Sequence, residues 1–127
     1  MDLRQYANEF FHKLTQKEVK KLFSQIAQAI NYCHENHIMH RDIKMENILV
    51  SVDVEGLIYD VKLADFGKAI MFEKQHNLEG MCGTVGYMAP ELVTSGCSYN
   101  HQVDVWSLGI VFFCLIAGEM PFKGDTM

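Results

Sequence analysis

The sequence predicts an α+β domain, mainly α-helical, with one short β-hairpin and one long ordered loop. Three observations carry that reading. Apolar residues recur at three- and four-residue spacing behind a capping signal at Thr15. A β-branched segment at Ile48 to Val50 is followed by the alternating Tyr59, Val61 and Leu63, with turn residues between. The stretch from 67 to 100 lacks any sustained period and is punctuated by Gly67, Gly80, Gly83, Gly86, Pro90 and Gly96.

Taken in order, residues 3 to 13 carry Leu3, Tyr6, Ala7, Phe10 and Phe11 at helical spacing and predict a short helix. Thr15 and Glu18 form a T-x-x-E capping box, and Leu14 and Val19 stand where a hydrophobic staple closes, so a helix begins at residue 15. Val19, Leu22, Phe23, Ile26, Ala27, Ile30 and Cys33 line its inner face. Lys17, Lys20, Lys21, Gln25 and Gln28 face away, and the helix ends near His37. The two strand segments join through a turn containing Asp53, Glu55 and Gly56. A short helical piece near Pro90 to Thr94 interrupts the long loop. A last helix runs from about Asp104 to Ala117, apolar almost all round and expecting cover on every side, with Gly118 as its stop and Pro121 barring continuation.

Composition bounds the rest. With 127 residues and 49% hydrophobic content the chain suffices for one domain, which at that size buries roughly two thirds of its unfolded surface. The net charge of -5 has the wrong sign for holding nucleic acid or anionic lipid by bulk electrostatics. Cys33, Cys82, Cys97 and Cys114 never form a C-x-x-C pair, which argues against a disulfide scaffold. The N-terminus has no signal-peptide character, so the cytoplasm is the expected setting, with the nucleus as the other. The apolar run from Val105 to Ala117 is shorter than the roughly 18 residues of a bilayer span.

The chemistry sits in three ordered motifs. His40-Arg41-Asp42 is followed by Lys44 and Asn47, then by Asp65-Phe66-Gly67, then by Ala89-Pro90-Glu91. Taken singly, Asp42, Asn47 and Asp65 read as turn or cap residues. As a set they match H-R-D-x-x-x-x-N, D-F-G and A-P-E in order. The chain therefore resembles the protein kinase family over nearly its whole length, to the D-V-W-S-L-G stretch at 104 to 109. The resemblance implies most of a kinase C-terminal lobe, with residues 1–127 as one partial domain truncated at both ends.

That resemblance also implies roles. Phosphoryl transfer asks the protein mainly to position a nucleophile and compensate phosphate charge. Asp42 would accept the proton of a substrate hydroxyl, and Lys44 would contact the transferred phosphate. Asn47 and Asp65 would hold Mg²⁺ through oxygen. Asp2, Lys44, Asn47, Leu49 and Asp65 would be the contacts to ATP and its metal. Lys44, with Thr84 to orient it and Asp42, looks like the serine/threonine group, which makes a protein Ser or Thr hydroxyl the acceptor. His40 and Phe66 would pack the interior, Gly67 would complete the D-F-G turn, and Asp104 would accept backbone hydrogen bonds from the catalytic loop. Glu91 resembles a glutamate that pairs with an arginine further down the lobe. Cys33, His34, His37 and His40 could be read as a zinc cluster, but a helix end running into the catalytic loop already explains them. Gly80, Gly83 and Gly86 lack the strand and lysine of a phosphate cradle and read as loop geometry.

The chain departs from the family in several places. No glycine-rich loop, phosphate-pairing lysine strand or partner-helix glutamate occurs, so the ATP site is half encoded. An N-terminal lobe or a covering partner protein is the implied complement. The interval from Asn47 to Asp65 exceeds the usual spacing and enlarges the turn around Asp53 to Gly56, a change of slowly growing entropy cost. Between Lys68 and Gly83 there is no Ser, Thr or Tyr to carry an activating phosphate opposite Arg41. Glu79 is the candidate to fill that role with a permanent carboxylate, against its other reading as a flexible surface residue. Two functions stand against each other: part of a serine/threonine kinase catalytic domain, or a non-catalytic kinase-like module that binds a partner. The intact Asp42, Asn47 and Asp65 favour the first.

Overall fold

The computed structural model describes residues 1–73 and 78–124. Residues 74–77 of the long loop, and 125–127, lie outside the described residues. Helix α1, Leu3–Phe10, starts at Asp2, whose carboxylate accepts the Gln5 N–H at 2.9 Å while the Gln5 amide oxygen accepts the Asp2 N–H at 3.1 Å. Leu3 and Tyr6 are fully buried, and a 3₁₀ turn, Phe11–Lys13, ends the segment.

Helix α2, Gln16–Glu35, is capped by the Thr15 hydroxyl, which accepts the Glu18 N–H at 3.2 Å. Only half of the expected box forms. The Thr15 N–H donates to the Lys13 carbonyl at 3.0 Å instead, because the preceding 3₁₀ turn brings that acceptor close. Leu22, Ile26, Ile30 and Cys33 are buried, as the period predicts. Phe23 is 45% exposed, since the apolar stripe is wider than the one helix covering it, and it meets Phe112 edge-on with ring centroids 4.6 Å apart. One outward assignment also changes. Lys21 stays exposed while its ammonium donates to the Ile58 carbonyl at 3.1 Å, but Gln25 turns its Oε1 into the interior, where it finds no partner.

Strands β1 (Ile38–Met39), β2 (Ile48–Val52), β3 (Ile58–Leu63) and β4 (Ile70–Met71) form two antiparallel pairs. β2 and β3 make the expected hairpin, with Ile48 opposite Leu63 and Val50 opposite Val61. β1 and β4 pair Ile38 with Met71 and Met39 with Ile70. Two residues are too few to show a period, so the sequence does not announce that pair. Its consequence is positional: the segment from β1 to β2 carries the H-R-D motif, the segment from β3 to β4 carries D-F-G, and the pairings hold the two side by side.

The hairpin turn is not free. Gly56, at φ +81°, offers its carbonyl to the Tyr6 hydroxyl at 3.0 Å, and Phe10 stacks on Tyr6 with centroids 5.4 Å apart. Helix α3, Pro90–Val93, has Pro at its first position, and α4, Gln102–Ala117, starts two residues before Asp104. Gly118 closes α4 in the left-handed region, at φ +75°, donating its N–H to the Cys114 carbonyl at 2.9 Å. Leu108, Phe112 and Leu115 are buried in the main core with α1, α2 and the hairpin. Val105, Trp106, Phe113 and Ile116 remain exposed. Among the described residues no helix is long and apolar enough to cross a membrane.

Candidate active site

The loop from β1 to β2 is anchored from below. Asp104, buried in the first turn of α4, accepts the His40 N–H on Oδ2 and the Arg41 N–H on Oδ1, each at 2.9 Å, and His34 Nε2 lies 2.8 Å from Oδ2. Arg41 adopts φ +67°, a left-handed conformation that a side chain resists. The Asp104 bonds oppose its relaxation, and such strain concentrates at functional sites. The buried His40 ring accepts the Asp42 N–H on Nδ1 at 3.2 Å and places Nε2 2.9 Å from the Ala64 carbonyl. Its ring meets Phe66 edge-on at 4.8 Å, so His40 ties the two motif loops together.

Asp42 sits at the centre, 6% exposed. Its Oδ1 accepts the Thr84 hydroxyl at 2.6 Å, and Thr84 Oγ1 in turn accepts from the Lys44 ammonium at 3.1 Å. Its Oδ2 lies 3.7 Å from Lys44 Nζ and 3.4 Å from Lys68 Nζ. Burial alone would raise the Asp42 carboxyl, but the Thr84 hydroxyl and the Lys44 and Lys68 ammoniums outweigh it and hold it below the usual carboxylate range. The group is an anion at neutral pH, wrapped in donors.

Asn47 donates its amide NH₂ to the Asp42 carbonyl at 2.8 Å, which leaves its amide oxygen as the group offered elsewhere. The Ala64 N–H donates to the Asn47 carbonyl at 2.8 Å, joining the loop that carries H-R-D to the residue before Asp65. Asp65, also left-handed at φ +57°, is exposed and accepts the Gly67 N–H on Oδ1 at 3.1 Å. Asp2 and the exposed Leu49 form an isolated antiparallel bridge at the edge of the hairpin. The Asp2 carboxylate is engaged in capping α1.

A family model described as "Protein kinase domain" matches residues 2–127. The chain belongs to the protein kinase family. A carbon catabolite-derepressing protein kinase of Secale cereale is 37% identical over 115 residues, 91% of this chain and 22% of that protein. The human NUAK family SNF1-like kinase 2 is 39% identical over 123 residues, 97% of this chain and 19% of that protein. The serine/threonine-protein kinase PEPKR2 of Arabidopsis thaliana is 38% identical over 115 residues, 91% of this chain and 23% of that protein. The chain thus spans less than a quarter of the length of these curated relatives.

Protein kinases generally use ATP and Mg²⁺. The oxygen donors here fit such a metal only in company: one exposed carboxylate and one amide oxygen are too few for a protein-only cage, but suit an ion that takes its other ligands from phosphate and water. Among the described residues no three His, Cys, Asp or Glu side chains are grouped so as to enclose an ion.

One sequence expectation meets different surroundings. Arg41 turns its Nε to the Lys68 carbonyl at 2.7 Å and an Nη to the Tyr99 hydroxyl at 3.2 Å. Glu79 stays exposed, and no Arg41–Glu79 ion pair occurs among the described residues. The guanidinium is filled by neighbours that the β1–β4 pairing brings nearer. Glu91, half-buried in the first turn of α3, borders a groove of about 610 Å³ lined by Gln102, Val105, Trp106, Phe113 and Phe122. Lys68 is the residue that sequence reasoning missed. The one signal was its place directly after D-F-G, and that does not say where its ammonium points.

Proposed function

We propose that this chain is part of a serine/threonine protein kinase catalytic domain that transfers the γ-phosphoryl group of ATP to a Ser or Thr hydroxyl of a protein. The observation that carries the reading is the Asp42–Thr84–Lys44 constellation: a buried carboxylate held by a threonine hydroxyl at 2.6 Å, with an ammonium bonded to the same hydroxyl at 3.1 Å. Asp42 orients the acceptor hydroxyl and takes its proton as the new O–P bond forms and the γ-phosphorus–oxygen bond to the nucleoside diphosphate breaks. Lys44 pairs with the transferred phosphoryl oxygens. Asn47 and Asp65 hold Mg²⁺, whose part is to neutralise phosphate charge. Asp2 and Leu49, adjacent at the hairpin edge, face the nucleotide, and His40, Phe66, Gly67 and Asp104 keep the loops in register.

The proposed domain organisation is one partial C-terminal lobe over residues 1–127, completed by an N-terminal lobe or a covering partner that supplies the upper half of the ATP cage. The proposed setting is the cytoplasm or nucleus, where the four free thiols stay reduced. The test grafts residues 2–127 in place of the equivalent segment of an active relative and assays matched peptides carrying Ser, Thr or Tyr. Transfer to Ser and Thr with little to Tyr supports the reading. A folded, ATP-binding graft without transfer, or one preferring Tyr, would reject it.

A further inference from the structure

The donors around Asp42 crowd one oxygen. Oδ1 takes the Thr84 hydroxyl, while Oδ2 faces Asn47 Nδ2 at 3.4 Å, Lys44 at 3.7 Å and Lys68 at 3.4 Å. An acceptor hydroxyl that approaches Oδ2 competes with these three groups. Thr84 and Lys44 bond each other, and Asn47 is fixed by its 2.8 Å bond to the Asp42 carbonyl. Lys68 differs. Its side chain is 44% exposed, and its other contact is a long one, 3.4 Å to the Gly83 carbonyl. Its backbone carbonyl is pinned by Arg41 at 2.7 Å, so the ammonium can swing away while the D-F-G turn stays in place.

We propose that Lys68 is a self-blocking cation on Asp42 Oδ2, and that an acceptor hydroxyl competes with it for that oxygen. This rests on the reading of Asp42 as the proton acceptor. Lys68 is then a specificity-determining residue and not a catalytic one: it weakens binding of every acceptor by the strength of one partly exposed ion pair. It also selects for acceptors whose own contacts can pull the ammonium off the carboxylate. The lysine spans the D-F-G turn and the Gly83–Thr84 segment across Asp42.

Two readouts test it. In the full 127-residue chain, limited acetylation by an N-hydroxysuccinimide ester is followed at Lys68 by mass spectrometry, with Lys62, 3.6 Å from Asp60, as internal reference. Asp42→Asn should raise labelling of Lys68 relative to Lys62 about two- to fivefold, the worth of a partly exposed ion pair. In the two-lobed graft, Lys68→Met should lower the acceptor-peptide KM about two- to fivefold while leaving KM for ATP near its starting value. Lys68→Arg, which keeps the cation, should leave KM near its starting value. Unchanged labelling in Asp42→Asn, or an unchanged acceptor KM in Lys68→Met, would overturn the proposal while leaving Asp42 as the base. Normal turnover in the Asp42→Asn graft would instead remove the functional reading beneath it, and this proposal with it.

Discussion

The Thr84 hydroxyl donates to Asp42 Oδ1 at 2.6 Å while accepting from the Lys44 ammonium at 3.1 Å, so one small side chain, 42 residues downstream of Asp42, holds both charged groups. Hydrogen bonds to charged groups contribute about 1.5–3 kcal/mol. Thr84→Val in the two-lobed graft should therefore lower kcat about tenfold or more, and Thr84→Ser should recover most of the loss. Equal kcat for Thr84→Val and its parent would mean that the contact positions nothing.

Asp42 also predicts a pH dependence. Its folded pKa lies below the unfolded value of about 3.9, because Thr84, Lys44 and Lys68 outweigh the burial that would raise it. In that window the unfolded chain binds more protons than the folded one, so stability rises with pH. The contribution is complete above about pH 5 and is lost as pH falls through the ordinary carboxylate range towards the lower folded value. Thermal midpoints measured from about pH 6 to about pH 3 should fall more steeply for the native chain than for Asp42→Asn. Parallel curves would contradict the shift.

Gly56 predicts a backbone effect. At φ +81°, a Cβ there would sit 2.7 Å from the Phe10 ring, which is itself stacked on Tyr6. Gly56→Ala should destabilise the chain by about 1–3 kcal/mol, the range for a left-handed non-glycine residue. Denaturant melts would show it as a lower midpoint, and an unchanged midpoint would mean that the turn relaxes off α1.

These cases mark what was legible in the sequence. The Thr15 cap, the α4 stop at Gly118 and the hairpin at Ile48 and Leu63 were readable because caps, stops and alternation are local signals. The docking of Gly56 on Tyr6 was not, since a hydroxyl meeting a carbonyl 50 residues away is set by packing. The expected surface turn holds, with Asp53, Val54, Glu55 and Leu57 exposed, but Gly56 within it is buried against α1. The β1–β4 pair was hidden by its brevity, and with it the reason Arg41 faces Lys68 and Tyr99 instead of Glu79. At the site, motif order marked Asp42, Lys44, Asn47 and Thr84, which the fold brings together. Lys68 stayed invisible because its approach to Asp42 depends on the left-handed turn at Asp65.

Helix α4 predicts how the 127 residues behave alone. Val105 at 57%, Trp106 at 37%, Phe113 at 45% and Phe122 at 60% exposure form an apolar face along one groove. Contiguous apolar surface of this kind promotes association. The isolated chain should bind an apolar-surface dye, show concentration-dependent mass in sedimentation, and transfer no phosphate. A dye-silent monomer would refute the exposed-face account, and phosphate transfer above an Asp42→Asn control would refute the predicted inactivity.

The most direct test of the central claim compares kcat and nucleotide Kd for the two-lobed graft and its Asp42→Asn form. Because the carboxylate acts on the acceptor hydroxyl and not on the nucleotide, kcat should fall by about 10²- to 10⁴-fold while the ATP Kd stays nearly constant. Asp65→Asn in the same protein should instead weaken Mg²⁺-dependent ATP binding. A normal kcat in Asp42→Asn would contradict the assignment of Asp42 as the base, and with it the reading of this site as a phosphoryl-transfer centre.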